Sequence, residues 1–196
     1  MLLEQTRTII EAEQSIDDIK EALRKVEIVE EPGVFPYRDA DIELEELKLS
    51  DIRPIALYIV QHALARQFAL RADLLDMGHD TLHLNSALHI SYKDQSVGLI
   101  PPIIEETGEG LCLMDGLHRS MMARSIGEKT IRVLHLTNIN SAYPLTSYPN
   151  NWDEIRMYDT TPTDRSLKKR YRPDRHFFRD LSGLNGSQRR EGGYDA

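Results

Sequence analysis

The stretch Leu111 to Leu136, LCLMDGLHRSMMARSIGEKTIRVLHL, restricts the fold more than any other part of the chain, because its hydrophobic period changes twice. Leu111 to Met114 is an apolar run of strand length that stops at Asp115-Gly116. Asp-Gly marks a turn, since glycine accepts backbone angles that other residues resist. From Ser120 onward Met121, Met122 and Ile126 fall at helical spacing, with Gly127 placed as the C-terminal stop. Thr130 to Leu136 then alternates as a strand does. Strand, turn, helix and strand in this order predict an α+β domain. A helix that starts straight after a glycine turn presents unpaired N–H groups and the positive end of its dipole, and both attract anions. His118 and Arg119 put further positive character in the turn, so its residue types suit phosphate. A His-Arg pair at a helix start also fits an ordinary solvated cap.

The flanks sharpen this reading. Val97 to Gly110 reads as a strand, a turn and a return into the Leu111 strand. Taken together, Gly98 to Leu136 resembles the core of the ParB N-terminal and sulfiredoxin-like superfamily. Gly98-Leu99-Ile100-Pro101-Pro102-Ile103-Ile104 is similar to its G-x-x-x-P-I strand, Asp115-Gly116-Leu117-His118-Arg119 to its D/G-G-x-H/R-R turn, and Ile131-Arg132-Val133 to its I-P-V strand. Ile42 to Leu49, alternating apolar and acidic, resembles the superfamily's opening strand, followed by the loop Ser50 to Pro54. The resemblance implies a compact domain at residues 26–160, with a small mixed sheet flanked by helices, an N-terminal helix before it and a C-terminal extension after it.

Three branches of that superfamily are separated by the turn. Sulfiredoxins have a reactive cysteine in G-C-H-R, and Leu117 at that place excludes their chemistry. Chromosome-partition ParB proteins carry G-E-R-R and a following helix-turn-helix domain, whereas the chain after Leu136 is loop-rich and offers no pair of recognition helices. The turn is most similar to the D-G-H-x-R of the nucleotide-dependent free-serine kinases. That likeness implies ATP or ADP as donor, Mg²⁺, and as acceptor the hydroxyl of a small molecule such as a free amino acid. Gly116, Leu117, His118, Arg119 and Ser120 would then bind the nucleotide, Asp115 would hold Mg²⁺, and Asp115 and His118 would share in catalysis. Such chemistry needs mainly positioned positive charge and a metal ion. The kinases also carry a catalytic glutamate in L-K-P-H-E. Matching this to Leu47 to Asp51 places Asp51 there, while aligning the proline on Pro54 places Ala56 there. Asp51 equally fits a helix cap. The alternative function is a ParB-like nucleotide-binding regulator or DNA-associated protein that transfers nothing to a small molecule.

Elsewhere the chain reads as scaffold. Leu3, Ile9, Ile10, Ile16, Ile19 and Leu23 predict an amphipathic helix over residues 1–25, broken near Ser15, which packs on the domain or on a second copy to give a homodimer. Val26 to Val29 reads as a strand and Val34 to Tyr37 as an irregular cover for the core. A helix is expected from Ile55 to Met77, ended by Gly78. His79, Asp80, His83 and His89 invite a metal reading, although caps and half-buried imidazoles account for them as well. Residues 79–95 look like an insertion. Tyr143 to Trp152 reads as an ordered loop, Trp152 to Tyr158 as a short helix or strand, and Thr161 to Asp164 as a turn or helix start.

Composition sets the bounds. No apolar run approaches the ~18 residues of a membrane span, and the first residues are charged too early for a signal peptide, so a cytoplasmic protein is expected. The one cysteine, Cys112, excludes an internal disulfide and a cysteine-based zinc cluster, and its apolar strand suits a buried thiol. The formal net charge of −8 is uneven, because Arg165 to Arg190 is basic and the body before it acidic. An acidic body disfavours DNA as a partner. The basic segment, residues 161–181, could hold a phosphate, an acidic ligand or the acidic body itself, and its rings Tyr171, Phe177 and Phe178 suit anchoring best. Residues 182–196 are polar and glycine-rich and are expected to be disordered.

Overall fold

The computed structural model describes residues 8–92, 95–173 and 177–185. Strand β1 (Ile9–Gln14) leads to Ser15, which caps helix α1 (Ile16–Leu23) by accepting the Asp18 N–H on its Oγ at 3.2 Å. The helix expected over residues 1–25 is thus a strand and a shorter helix in its described part, and residues 1–7 lie outside the described residues. Local apolar spacing is overridden here by antiparallel pairing with residues 87–92, far along the chain. Val26 to Val29 contains no strand either, only bridges from Ile28 to Glu31 and to Arg179.

The remaining elements are β2 (Asp41–Lys48), β3 (Ile52–Pro54), β4 (Tyr58–Val60), α2 (Gln61–Leu75), β5 (Ala87–Tyr92), β6 (Gln95–Leu99), β7 (Ile103–Thr107), β8 (Gly110–Asp115), α3 (Leu117–Ser125), β9 (Thr130–Thr137), β10 (Ser147–Tyr148), β11 (Arg156–Tyr158) and β12 (Arg170–Tyr171). A five-stranded mixed sheet in the order β2-β9-β7-β8-β3 forms the centre. Successive side chains of a strand point to opposite faces, so β9 feeds two cores. Ile131 and Val133 pack with Met122 and Ala123 of α3, while Leu134 and Leu136 pack with Ile19 and Leu23 of α1. The sheet is therefore covered on both faces. Residues 87–99 join β1 in a separate three-stranded sheet, closed by Leu70 and Leu74 of α2.

Helix α2 begins at Gln61, not at Ile55. Tyr58 to Val60 pairs in parallel with β11, an interaction that spacing around Ile55 and Ile59 does not announce. The helix keeps Leu70 and Leu74 buried but leaves Phe68 and Leu75 exposed. Ser50 to Pro54, expected as loop, ends in the short strand β3, which pairs in parallel with β8. No helix among the described residues is long and apolar enough to cross a membrane.

The basic C-terminal segment is fastened to the acidic body. Arg179 donates from Nε and Nη2 to the two oxygens of Glu105 at 3.1 and 3.2 Å, and from Nη1 and Nη2 to the carbonyls of Phe177 and Tyr143 at 2.8 and 2.7 Å. Tyr37 donates to the same carboxylate at 2.5 Å. Phe177 meets Tyr143 edge to face, and Phe178 leans on Tyr171. Order extends past residue 181: Ser182 to Asn185 make a 3-10 turn, Ser182 Oγ donates to Asp180 at 2.5 Å, and Leu184 is buried against the α1 core. The disorder expected from residue 182 onward does not hold for 182–185, because Leu184 finds apolar cover. Residues 186–196 lie outside the described residues.

Candidate phosphate-binding site

Strand β8 delivers Asp115 to the edge of α3 through Gly116, whose backbone is left-handed at φ 90°. A Cβ on Gly116 would stand 2.7 Å from Cβ of Pro102, so a side chain is forbidden twice, by conformation and by contact. The space of the missing Cβ belongs to Pro102. What remains for an anion is the N-terminal end of α3, whose first N–H groups have no acceptor within the helix.

Arg119 is the unusual residue of the turn. Only 5% of it is exposed, and its Nη1 has no hydrogen-bond partner among the described residues. Burial lowers its pKa from the ordinary value, and the Asp115 charge works in the opposite direction. A guanidinium N–H kept from water without an acceptor is costly, so this atom is an unmet donor beside a carboxylate.

The other expected ligands fare differently. Nε2 of His118 accepts the Val60 N–H at 3.0 Å, and burial lowers the imidazole's pKa, against Asp115, with His62 adding to the lowering. His118 is thus held neutral as an acceptor, which corrects its assignment as a positive phosphate ligand. Ser120 is fully buried and its Oγ has no partner among the described residues. The side chain of Leu117 packs on the α3 core, leaving its backbone N–H as the part able to serve an anion.

Asp51 is displaced from this turn altogether. Ile52 pairs with Leu111 and Pro54 with Leu113, so Asp51 lies level with Gly110, at the far end of β8 from Asp115. Five residues at ~3.3 Å each separate the two carboxylates by roughly 16 Å along the strand. Ala56, which has no ionisable group, lies in the irregular linker after β3. Asp51 is exposed and accepts from Ser50 Oγ at 2.9 Å. The register of β3 on β8 sets Asp51 apart from the Asp115 turn, and local sequence cannot display that register.

Metal ligands do not converge. Among the described residues no three or more His, Cys, Asp or Glu form a cluster fit for a metal ion. His79 faces Glu13, His83 faces Glu46 and His89 approaches Gln14, each on its own part of the surface. Asp115 alone could supply an oxygen to Mg²⁺, an ion that is commonly shared between one or two carboxylates and phosphate oxygens. Cys112 is fully buried and burial raises its thiol pKa, as a structural cysteine requires.

Two contributors went unread in the sequence. Val60 holds His118 through its main chain, which no residue type signals. The basic segment runs past the same linker, with the Leu57 N–H donating to the Lys168 carbonyl at 2.8 Å. Lys169 lies over the Phe178 ring at 5.9 Å and burial lowers its pKa.

A mixed sheet covered on both faces, with a strand–glycine turn–helix whose first turn carries a buried arginine, defines a class of small α+β domains. Residues 18–156 match the family model described as the ParB CE domain, and the chain belongs to that family. No curated protein matches the chain significantly.

Proposed function

We propose that the protein binds a nucleotide through its phosphates at the start of α3, and that it acts as a ParB-like nucleotide-binding protein. The observation that carries this reading is the buried Nη1 of Arg119, a donor without an acceptor among the described residues, on a residue in the first turn of α3. A phosphate oxygen is the acceptor that such a guanidinium suits best, and the helix N–H groups of Leu117 and His118 would take further oxygens. The residues thus fit a nucleotide, and Asp115 with the phosphates would hold Mg²⁺, which when bound would neutralise phosphate charge.

Transfer of the phosphoryl group to a small hydroxyl, as in the free-serine kinases, is the second reading. It is favoured by Asp115 standing next to Arg119 in a D-G-L-H-R turn. It is weakened by the position of Asp51, roughly 16 Å away along β8, which deprives the acceptor of the expected base. Nucleotide binding without transfer therefore suits the geometry better.

The test is thermal stability against ATP, ADP, CTP and GTP with and without Mg²⁺, on the parent, Asp115→Asn and Arg119→Met. Ligand at a hundred times its dissociation constant stabilises by about 2.7 kcal/mol, and this shift should vanish in Arg119→Met. An undiminished shift in that variant, or none with any nucleotide in the parent, would overturn the assignment. Phosphate transfer from labelled ATP to serine, absent from Asp115→Asn, would move the conclusion to the second reading.

A further inference from the structure

The chain is acidic, yet one end of the central sheet gathers cations that have no acidic partner. Arg71, Arg170, Arg172 and Arg179 each meet a carboxylate. Lys48, Arg53, Arg124 and Lys129 meet none within 4 Å among the described residues. These four line two adjoining cavities of about 340 and 500 Å³ that share Ser50 and Arg124, at the C-terminal end of α3 and therefore at the other end of that helix from Arg119.

Three details give this groove the character of a site. The Arg124 guanidinium lies over the Trp152 ring at 4.9 Å, and the ring is itself fixed by donating Nε1 to the carbonyls of Leu49 and Ile52 at 3.1 and 2.8 Å. Arg124 is thus held over the ring, and it makes no hydrogen bond or ion pair among the described residues. Arg53 is aimed by the carbonyls of Glu109 and Pro149, both at 3.3 Å, and makes no ion pair within 4 Å among the described residues, although its charge also acts on Glu154. Asn150, fully buried and lining the smaller cavity, donates Nδ2 to the Pro54 carbonyl at 3.1 Å, and its Oδ1, without a partner among the described residues, is an acceptor for a hydroxyl or N–H of a ligand and not for its phosphate oxygens. Opposing charges are present: Asp153 and Glu128 line the cavities, with Glu128 within 3.8 Å of Arg71, and Asp51 stands exposed nearby.

We infer that this groove is a second anion site, separate from the turn at Asp115, and that it takes a phosphate group. Four cations from β2, β3, α3 and the loop before β9 exceed what a single-charged carboxylate would need, and planar guanidinium edges match phosphate oxygens. The phosphate could come from a free or small-molecule ligand or from a single-stranded nucleic acid backbone.

Trp152 is the only tryptophan of the chain and reports on this groove directly. Its fluorescence should be titrated with pyrophosphate and, separately, with a twelve-nucleotide single-stranded oligothymidylate, each at low and high salt. The expected result is a saturable change with at least one of them, weakened tenfold or more in Arg53→Gln/Arg124→Gln and several-fold in the exposed pair Lys48→Gln/Lys129→Gln, and unaltered in Arg119→Met. Pyrophosphate binding identifies a small ligand as the source; oligonucleotide binding alone, with a steep salt dependence, identifies nucleic acid. No saturable change with either ligand, or unweakened binding in both charge-removing variants, would overturn the inference.

Discussion

Arg179 and Arg119 are both buried arginines, and they are opposites. Arg179 meets Glu105 with two donors and the carbonyls of Phe177 and Tyr143 with the rest, and Tyr37 completes the carboxylate. Burial lowers the pKa of the Arg179 guanidinium, but Glu105 outweighs that and leaves it raised. The Tyr37 hydroxyl is pushed well above its ordinary pKa by burial and by the same carboxylate. Arg119 has a carboxylate in its neighbourhood, yet Nη1 meets nothing among the described residues, and burial leaves its pKa lowered. A satisfied buried charge fastens one part of the chain to another. An unsatisfied one is a cost that the fold tolerates where a ligand relieves it.

The largest expected effect tests this contrast. Arg179→Met strands Glu105 in the core and should cost about 3–5 kcal/mol in urea denaturation. Arg119→Met removes a donor that has no acceptor and should stay within about 1 kcal/mol of the parent. Equal losses in the two variants would break the comparison and make Arg119 a structural residue.

Next in size is Gly116→Ala. A left-handed backbone and the Pro102 contact together should destabilise by roughly 2–3 kcal/mol and turn the start of α3, so nucleotide-induced stabilisation should fall with it. A variant as stable as the parent would show that the turn adapts, and that Arg119 is not held by it.

The smallest effect concerns His118. Its folded pKa lies below the unfolded value of about 6.5, so the unfolded chain binds the extra proton first. Stability from the Val60 N–H bond is therefore present above pH about 6.5 and lost as pH falls below it. Between pH 7.5 and 5.5 the parent should lose more stability than His118→Gln, by less than about 1 kcal/mol given the imidazole's partial exposure. Equal losses would remove His118 from the support of the turn.

Legibility in the sequence followed the range of the interactions. Asp115-Gly116, the helix after it, the alternation of β9, the break near Ser15 and the Gly78 and Gly127 stops were all readable, because each depends on a few neighbouring residues. The anchoring role of the basic segment was readable in kind, since acidic body and basic tail attract, but not the pairing of Arg179 with Glu105. Strand β1 was read as helix and β4 as part of α2, since each pairs with a segment distant in the chain. The candidate site was half legible: the turn was found, while the burial of Arg119, the neutral His118 and the distance to Asp51 were not.

By itself, then, the sequence determined an α+β chain with a strand–turn–helix at Asp115 and residue types that suit phosphate, because propensity, turn chemistry and period are local. Tertiary structure alone decided which of those residues are buried and what they are buried against. The parallel register of β3 on β8 sends Asp51 to the end of β8 away from Asp115. Packing closes the surroundings of Arg119, and folding gathers Lys48, Arg53, Arg124 and Lys129 from four elements into one groove. Such placements depend on contacts between residues far apart in the chain, and hydrophobic pattern records which face is buried but not what it is buried against.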